Sequence, residues 1–329
     1  MPIVPLCELA NGQEADLFAL LSRKEELQTR DGKPYFKVGF RDGLREVVFP
    51  LWGDSPFAVD CRESWTPGDC FKIRAIYRET NYGPQLDIRR IRPVTPADAT
   101  DGFDPTMFLP RSRFDPAMMF AELAAMAEQW IDNPALRKLV LDLLEGNRQE
   151  LLTLPGASRV HHAYVGGWLE HVLSVTRTAA FLADKYDDYY PHLQPRLNRG
   201  LVVAGAVLHD IGKLRELDEQ PMGTIYTPAG ELIGHILQGR DMLREAAAGR
   251  DIDAETLLRL EHIIVSHQRL PEWGSPKPPM TPEAMLVHYA DDLDAKYNMV
   301  VGVYQEDTTP GPLTSKKNVL GQRFFRGEA

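Results

Sequence analysis

The period of the hydrophobic pattern changes about a third of the way along the chain. Residues 14–92 alternate apolar and polar positions in short runs. These are EADLFALLSR (14–23), PYFKVGF (34–40), REVVFPLW (45–52), DCFKIRAIYRE (69–79) and QLDIRRIR (85–92). Between them stand Asp31-Gly32, Asp42-Gly43, Pro67-Gly68 and Asn81-Tyr82-Gly83-Pro84, residues suited to tight turns. Such runs predict a small all-β five-stranded barrel over residues 1–95. An OB-fold is the commonest five-stranded form, and an SH3-like barrel is the alternative. The stretch RPVTPADATDGFDPTMFLPRSRFDP (92–116) is rich in proline, and its residues 96–116 read as a linker. From Asp115 the spacing becomes helical. Asp115 is a good N-cap and Pro116 a good first helical residue. Helices are expected over 114–131 and near 134–152, 162–187, 197–211, 229–248, 253–268 and 282–300. No strand signal of comparable quality follows, so the chain reads as multidomain, with an all-α domain over 117–310 and a tail at 311–329.

Composition narrows the class. The chain is 43% hydrophobic and 26% charged, an ordinary globular balance. No apolar run is long enough for a membrane span, and the N-terminus lacks the basic and apolar stretches of a signal peptide. Cys7, Cys61 and Cys70 are scattered and form neither a disulfide framework nor a CxxC pair, which fits a reducing cytoplasm. The net charge of −10 argues against nucleic acid as a partner of the whole chain. Residues 1–95, however, are charge-balanced, so the acidic excess belongs to the helical part. In FKIRAIYR, strand alternation puts Lys72, Arg74 and Arg78 on one face, with Arg89, Arg90 and Arg92 near in sequence. Together with Trp52, Tyr35 and Tyr82 as stacking surfaces, these are the expected contacts to a single strand.

All nine histidines occur from residue 161 onward. His171 lies in GGWLEHVLSV, His209 ends LVVAGAVLHD, His235 lies in ELIGHIL, His267 ends EHIIVSH, and Asp291 follows LVHYA. One histidine on an apolar helix face is ordinarily a satisfied core residue. Five helices that each present a histidine or aspartate inward suggest a shared ion, because a buried carboxylate without a partner is costly. Nitrogen and oxygen ligands without thiolate suit Mn, Mg, Fe, Co or Zn. His209 and Asp210 are adjacent, and regular helix geometry would splay them roughly 100° apart. Gly212 is expected to let the backbone leave that geometry so that both turn toward one ion. Lys213 is either a partner for an anionic phosphate or a cation at a helix end.

The series His171, His209-Asp210, Asp291 resembles the HD phosphohydrolase superfamily. The blocks HHAYVGGWLEH (161–171), LHDIGKLREL (208–217), YTPAGELIGHI (226–236), EHIIVSH (261–267), EWGSPKPPM (272–280) and HYADDLDAKYN (288–298) resemble one branch of it, the YhaM-type 3′→5′ exoribonucleases. That family joins an OB-fold to an HD domain. DGKPYFKVGF (31–40), IRRIRPV (88–94) and, more weakly, LGQRFF (320–325) extend the resemblance over nearly the whole chain.

The resemblance implies metal-dependent 3′→5′ hydrolysis of single-stranded RNA, with single-stranded DNA as a further substrate. It implies that His171, His209, Asp210 and Asp291 hold one divalent ion, Mn²⁺ before Mg²⁺, Fe²⁺, Co²⁺ or Zn²⁺. His235 and His267 would serve a second ion that Asp210 bridges. Where the family pattern resembles SHHG, this chain has Ser266-His267-Gln268-Arg269. A neutral amide is a poorer ligand than imidazole, so one tight site and a weakened second are expected. Lys213, His161, His162 and His262 are candidates for contacting or protonating the reacting phosphate, and Trp273 for a stacking wall. Two other readings stay open: an HD nucleotide or cyclic-nucleotide phosphohydrolase, and a nucleic-acid-binding protein whose site has weakened. Self-association into a homo-oligomer is also left open.

Overall fold

The computed structural model describes every residue except 1, 30, 82, 221, 222, 328 and 329. The chain divides into two units, Met1–Arg111 with residues 220–223, and Ser112–Glu219 with Thr224–Ala329.

In the first unit the strands are β1 (Glu14–Gln28), β2 (Pro34–Arg41) and β3 (Glu46–Trp52), then β4 (Cys70–Thr80) and β5 (Gly83–Pro93). A short helix, α1 (Ala58–Glu63), separates β3 from β4. Every pairing is antiparallel, in the order β3-β2-β1-β4-β5. β3 also lies against β5, which closes the sheet on itself. A closed five-stranded Greek-key barrel of this order is the OB arrangement. Its inside is filled by every second residue of the strands, such as Leu17, Ala19 and Leu21 of β1 with Phe36, Phe40, Phe71 and Ile73.

β1 is apolar on its other face as well. Phe18 and Leu20 are buried outside the barrel against Phe108, with Phe103, Met107 and Val94 packed beside them. Thus the segment read as a linker is built into the first unit as far as Arg111. It forms 3₁₀ turns at Pro96–Asp101 and Pro105–Phe108, and its aromatics cover apolar residues of β1 that would otherwise face water.

The second unit begins with α2 (Pro116–Trp130), α3 (Pro134–Gly146) and α4 (Arg148–Leu151). Next come α5 (Gly167–Tyr189), α6 (Arg199–Leu208) and α7 (Lys213–Glu216). The strands β6 (Leu217–Gln220) and β7 (Gly223–Tyr226) follow, a two-stranded sheet the sequence pattern did not announce. The chain then runs through α8 (Pro228–Ile233), α9 (His235–Ala247), α10 (Ala254–Ser266) and α11 (Pro282–Glu306). Asp115, Asn133, Asn198, Asp253 and Thr281 each accept backbone N–H bonds as N-caps.

α6 reads GLVVAGAVL after its first residue and is buried over that whole run, as an all-apolar helix must be. It packs against α2, α5, α10 and α11, so its C-terminal end, where His209 and Asp210 lie, sits in the middle of the unit. Residues 162–166, expected to open a helix, instead form a loop before α5, and the helix expected over 229–248 breaks at Gly234. The tail from residue 311 is anchored by an isolated bridge between Leu313 and Phe325 and by Arg326, whose guanidinium bonds Asp307.

Candidate metal centre

Five elements deliver the predicted ligands to one buried place. α5 brings His171, the turn after α6 brings His209 and Asp210, α9 opens with His235, His267 caps the C-terminus of α10, and α11 carries Asp291. Four of these side chains are deeply placed: His171 and His209 have no exposed surface, His267 has 1% and Asp210 has 2%. His235 and Asp291 are partly exposed.

The adjacent pair converges because the chain turns tightly after α6. Ile211 N donates to Leu208 O and Lys213 N donates to Asp210 O, each across three residues. His209 Nε2 comes within 3.6 Å of Asp210 Oδ2. Gly212 does not act through unusual backbone angles, as the sequence suggested, because its φ of −65° is open to any residue. Space is what demands glycine: a Cβ there would lie 1.9 Å from His235 O and 2.5 Å from Gly239 N. Gly234 is the position that needs left-handed freedom, with φ of 77° at the start of α9.

Two clusters share Asp210. His171, His209 and Asp210 offer ligand atoms within 4.8 Å of one another, and so do Asp210, His235 and His267. Asp291 joins the first, with Oδ1 3.2 Å from His171 Nε2 and 3.8 Å from His209 Nε2. Asp210 turns Oδ2 toward His171, at 3.6 Å, and Oδ1 toward His235, at 3.3 Å, and His267, at 3.6 Å. Gln268, the departure from the family pattern, places Nε2 3.3 Å from His235 Nε2. It borders the second cluster without displacing its other members.

The electrostatics suit a cation. Burial opposes charge on Asp210, yet the Lys213 ammonium and the surrounding imidazoles hold its carboxyl well below the usual carboxylate range. The same opposition acts at Asp291, where His171 and its neighbours win and lower the carboxyl. Burial drives His209 down to about 4, so its ring is neutral. Its Nδ1 donates to Ala206 O at 2.7 Å, which leaves the Nε2 lone pair facing the cluster. Burial also disfavours charge on His171, but Asp291 and Asp294 raise it to about 9. Among the described residues, Asp210 Oδ1 and His267 Nε2 are buried with no hydrogen-bond partner. Orphaned atoms of this kind are rare and costly, and a divalent ion would satisfy both. The donor set therefore fits a metal.

The other predicted site residues divide. His161 lies beside His171, with ring centroids 5.6 Å apart, and among the described residues its buried Nδ1 has no partner. Burial and the Lys213 charge push its pKa down to about 3, so it is neutral rather than a ready proton donor. His162 is fully engaged: Nδ1 meets Tyr164 Oη at 2.8 Å and Nε2 meets Asp294 Oδ2 at 2.9 Å, which leaves no ring nitrogen for a substrate. His262 stands apart from the cluster, its Nε2 accepting from Met280 N at 2.8 Å. Lys213 is buried, and its ammonium faces Asp210 Oδ2 at 2.6 Å and donates to Gly156 O, so its charge is spent within the centre. Trp273 is half exposed, with Lys296 Nζ 5.7 Å from its ring centre.

Sequence reasoning missed two carboxylates. Asp294 accepts from His171 Nδ1 at 2.7 Å, and Glu216 from His235 Nδ1 at 2.9 Å. Asp294 stands three residues after Asp291 on α11, a spacing that shares a helix face and was the one available hint.

On the barrel, alternation places Lys72, Arg74 and Arg78 outward as expected, but their charges are matched. Lys72 pairs with Asp98 at 3.3 Å and Asp101 at 2.5 Å, and Arg74 holds Asp16 through two 2.7 Å bonds. Arg78 and Arg89 share Asp87, and Arg92 binds Asp98. Arg90 is exposed and makes no ion pair among the described residues. Trp52 is 52% exposed and faces Tyr35 across β2 and β3, with ring centroids 5.3 Å apart. Tyr82 lies outside the described residues.

Residues 168–296 match the HD domain family. The 3′-5′ exoribonuclease YhaM of Bacillus licheniformis is 33% identical to this chain over 321 residues, 95% of each chain. The chain belongs to the YhaM family. YhaM of Bacillus subtilis strain 168 is 32% identical over 323 residues, again 95% of each chain. Among solved structures, the second OB-fold domain of replication protein A from Methanococcus maripaludis is similar at 15% identity with a TM-score of 0.22. It covers 28% of this chain and 94% of that one. Membership of the YhaM family, with an HD domain in the helical unit, makes this chain a metal-dependent hydrolytic enzyme. Among the described residues no helix is long and apolar enough to cross a membrane.

Proposed function

We propose that this chain is a 3′→5′ exonuclease that hydrolyses phosphodiester bonds of single-stranded RNA and accepts single-stranded DNA. The observation that carries the reading is Asp210, buried between two histidine clusters with one oxygen turned to each. A carboxylate in that position can bridge two ions. His171, His209, Asp210 and Asp291 would hold the tight ion, and Mn²⁺ is the ion we assign. Asp210, His235 and His267, with the Gln268 amide beside them, would hold the weaker one. A divalent ion there supplies Lewis-acid activation of a water and neutralises charge on the phosphodiester.

The protein's own groups do the rest. Lys213 keeps Asp210 ionised and fixed in place. His161, beside His171 with an unengaged buried Nδ1, is the group best placed to contact a phosphate oxygen or the leaving group. In the barrel, Trp52 and Tyr35 form a stacking platform on the β2–β3 face that OB-folds use for oligonucleotides. The platform favours a polymer over a mononucleotide, because a free nucleotide needs no strand guide.

The test uses single-stranded RNA labelled at either end, digested with Mn²⁺, Mg²⁺ or EDTA. Ladders that shorten from the 3′ end only with metal are expected. Turnover of free or cyclic nucleotides alone would overturn the assignment in favour of a nucleotide phosphohydrolase. Binding without turnover under any metal would favour a weakened site.

A further inference from the structure

Four imidazoles face the centre through Nε2, and each is held from behind through Nδ1. His209 and His267 donate to the carbonyls of Ala206 and Ile264, three residues back in the chain, each at 2.7 Å. His171 and His235 are held by carboxylates instead, those of Asp294 and Glu216. One carboxylate-backed histidine therefore lies in each cluster.

The two carboxylates are fixed by separate groups. Asp294 Oδ2 also meets His162 Nε2 at 2.9 Å, and its Oδ1 accepts from the Ser174 hydroxyl. His162 is itself held by Tyr164 Oη and by Asn298 Oδ1, which accepts from its backbone N–H at 3.1 Å. Glu216 Oε1 accepts a second bond, from the backbone N–H of His235 at 2.8 Å, and Gly234 sets the angle of that N–H. Among the described residues the two networks have no member in common. Asp210 is the ligand that both clusters share, and it faces each with a different oxygen.

We propose that Asp294 and Glu216 are positioning residues for two separable halves of the centre, Asp294 acting through His171 and Glu216 through His235. A carboxylate behind an imidazole fixes the tautomer, aims the ring and raises the basicity of the opposite nitrogen. His162 then belongs to the Asp294 network and not to the groups that touch substrate. The proposal rests on the metal-binding reading above.

The test is calorimetric titration of Mn²⁺ into the metal-stripped full chain, with electron paramagnetic resonance of the bound Mn²⁺. The resonance separates neighbouring coupled ions from a single ion, and neither readout needs turnover. The wild type is expected to show two classes of site. Asp294→Asn should weaken one class by about 10–100-fold and spare the other, and Glu216→Gln should do the reverse, the usual size of such effects. Ser174→Ala removes one donor from Asp294 and touches no ring. It should shift the same class as Asp294→Asn by less, and it keeps the test valid if Asp294→Asn fails to fold. A variant that moves both classes alike, variants that move neither, or a single class in the wild type would overturn the proposal. A wild type that takes up no divalent ion would overturn the metal reading beneath it.

Discussion

On the outside of the barrel, Lys72, Arg74, Arg78, Arg89 and Arg92 each face a carboxylate of their own unit. In the helical unit, Asp210 Oδ1 and His267 Nε2 are buried and form no hydrogen bond among the described residues. Both regions are rich in charge, and a reading of residue types alone would rank them equally as binding sites. Partnering separates them. A cation that already has a carboxylate must exchange it to hold a phosphate, and its presence alone does not point to a ligand. A buried orphaned carboxylate oxygen is costly, so it points to a ligand. Strand alternation shows which way a side chain points; it does not show whether the charge at its tip is already met.

The largest expected effect breaks the helical side of this comparison. Asp210→Asn removes the one carboxylate shared by both clusters. RNA hydrolysis should fall by about 10³-fold, the several kcal/mol that metal-assisted charge stabilisation supplies. Binding of a single-stranded oligonucleotide should stay unchanged, because the stacking platform is on the barrel. Equal loss of both would show that the metal centre, not the barrel, holds the strand.

Gly212→Ala comes next. Its Cβ would meet His235 O at 1.9 Å and Gly239 N at 2.5 Å, both backbone atoms that cannot swing aside. Overpacking of that kind costs about 1–3 kcal/mol or more, and α9 should shift with His235. A lowered thermal midpoint for the helical unit and weaker uptake at the second class of Mn²⁺ sites are expected. An unchanged melting curve would show that α9 is free to move.

This glycine also shows what was legible beforehand. The blocks around His171, His209-Asp210, His235, His267 and Asp291 could be read in order, because each rides on a helix with a clear apolar period. What Gly212 does could not be read, since a glycine after a helix signals a left-handed exit as readily as a close approach between backbones. Asp294 and Glu216 escaped for a related reason: they act on a histidine rather than on the ion, so no motif required them. In the barrel, the prolines of 92–116 suggested a linker. The aromatics Phe103 and Phe108 in the same stretch were the sign that it packs on β1.

Trp52→Ala sharpens the barrel side. Loss of one stacking surface should weaken single-strand binding by about 1–3 kcal/mol, read by fluorescence anisotropy with a labelled oligonucleotide. Metal uptake should be untouched. No change in affinity would remove the β2–β3 face from the binding surface.

Arg90 and Arg74 then test the pairing argument directly. Each phosphate contact to a single strand adds roughly 0.7 to the slope of log affinity against log salt. Arg90→Gln should lower that slope by about this amount, because Arg90 is exposed and makes no ion pair among the described residues. Arg74→Gln should leave the slope unchanged, because its guanidinium is committed to Asp16. The reverse result would mean that the Asp16 pair opens on binding.

The smallest expected effect concerns acid. Hydrogen bonds from Arg92, then from Thr95 and Lys72, hold the Asp98 carboxyl well below its ordinary value. A carboxyl depressed on folding contributes stability that is fully present above its unfolded pKa of about 3.9 and is lost as pH falls through the lower folded value. Acid unfolding of the barrel, followed by near-ultraviolet circular dichroism of the full chain, should therefore begin below about pH 4. Asp98→Asn cannot titrate, so it should be less stable than wild type at neutral pH, and the difference should shrink as pH falls below 4. A constant difference across that range would mean that Asp98 acts through the shape of its hydrogen bonds. In that case its charge would not be what balances Lys72 and Arg92.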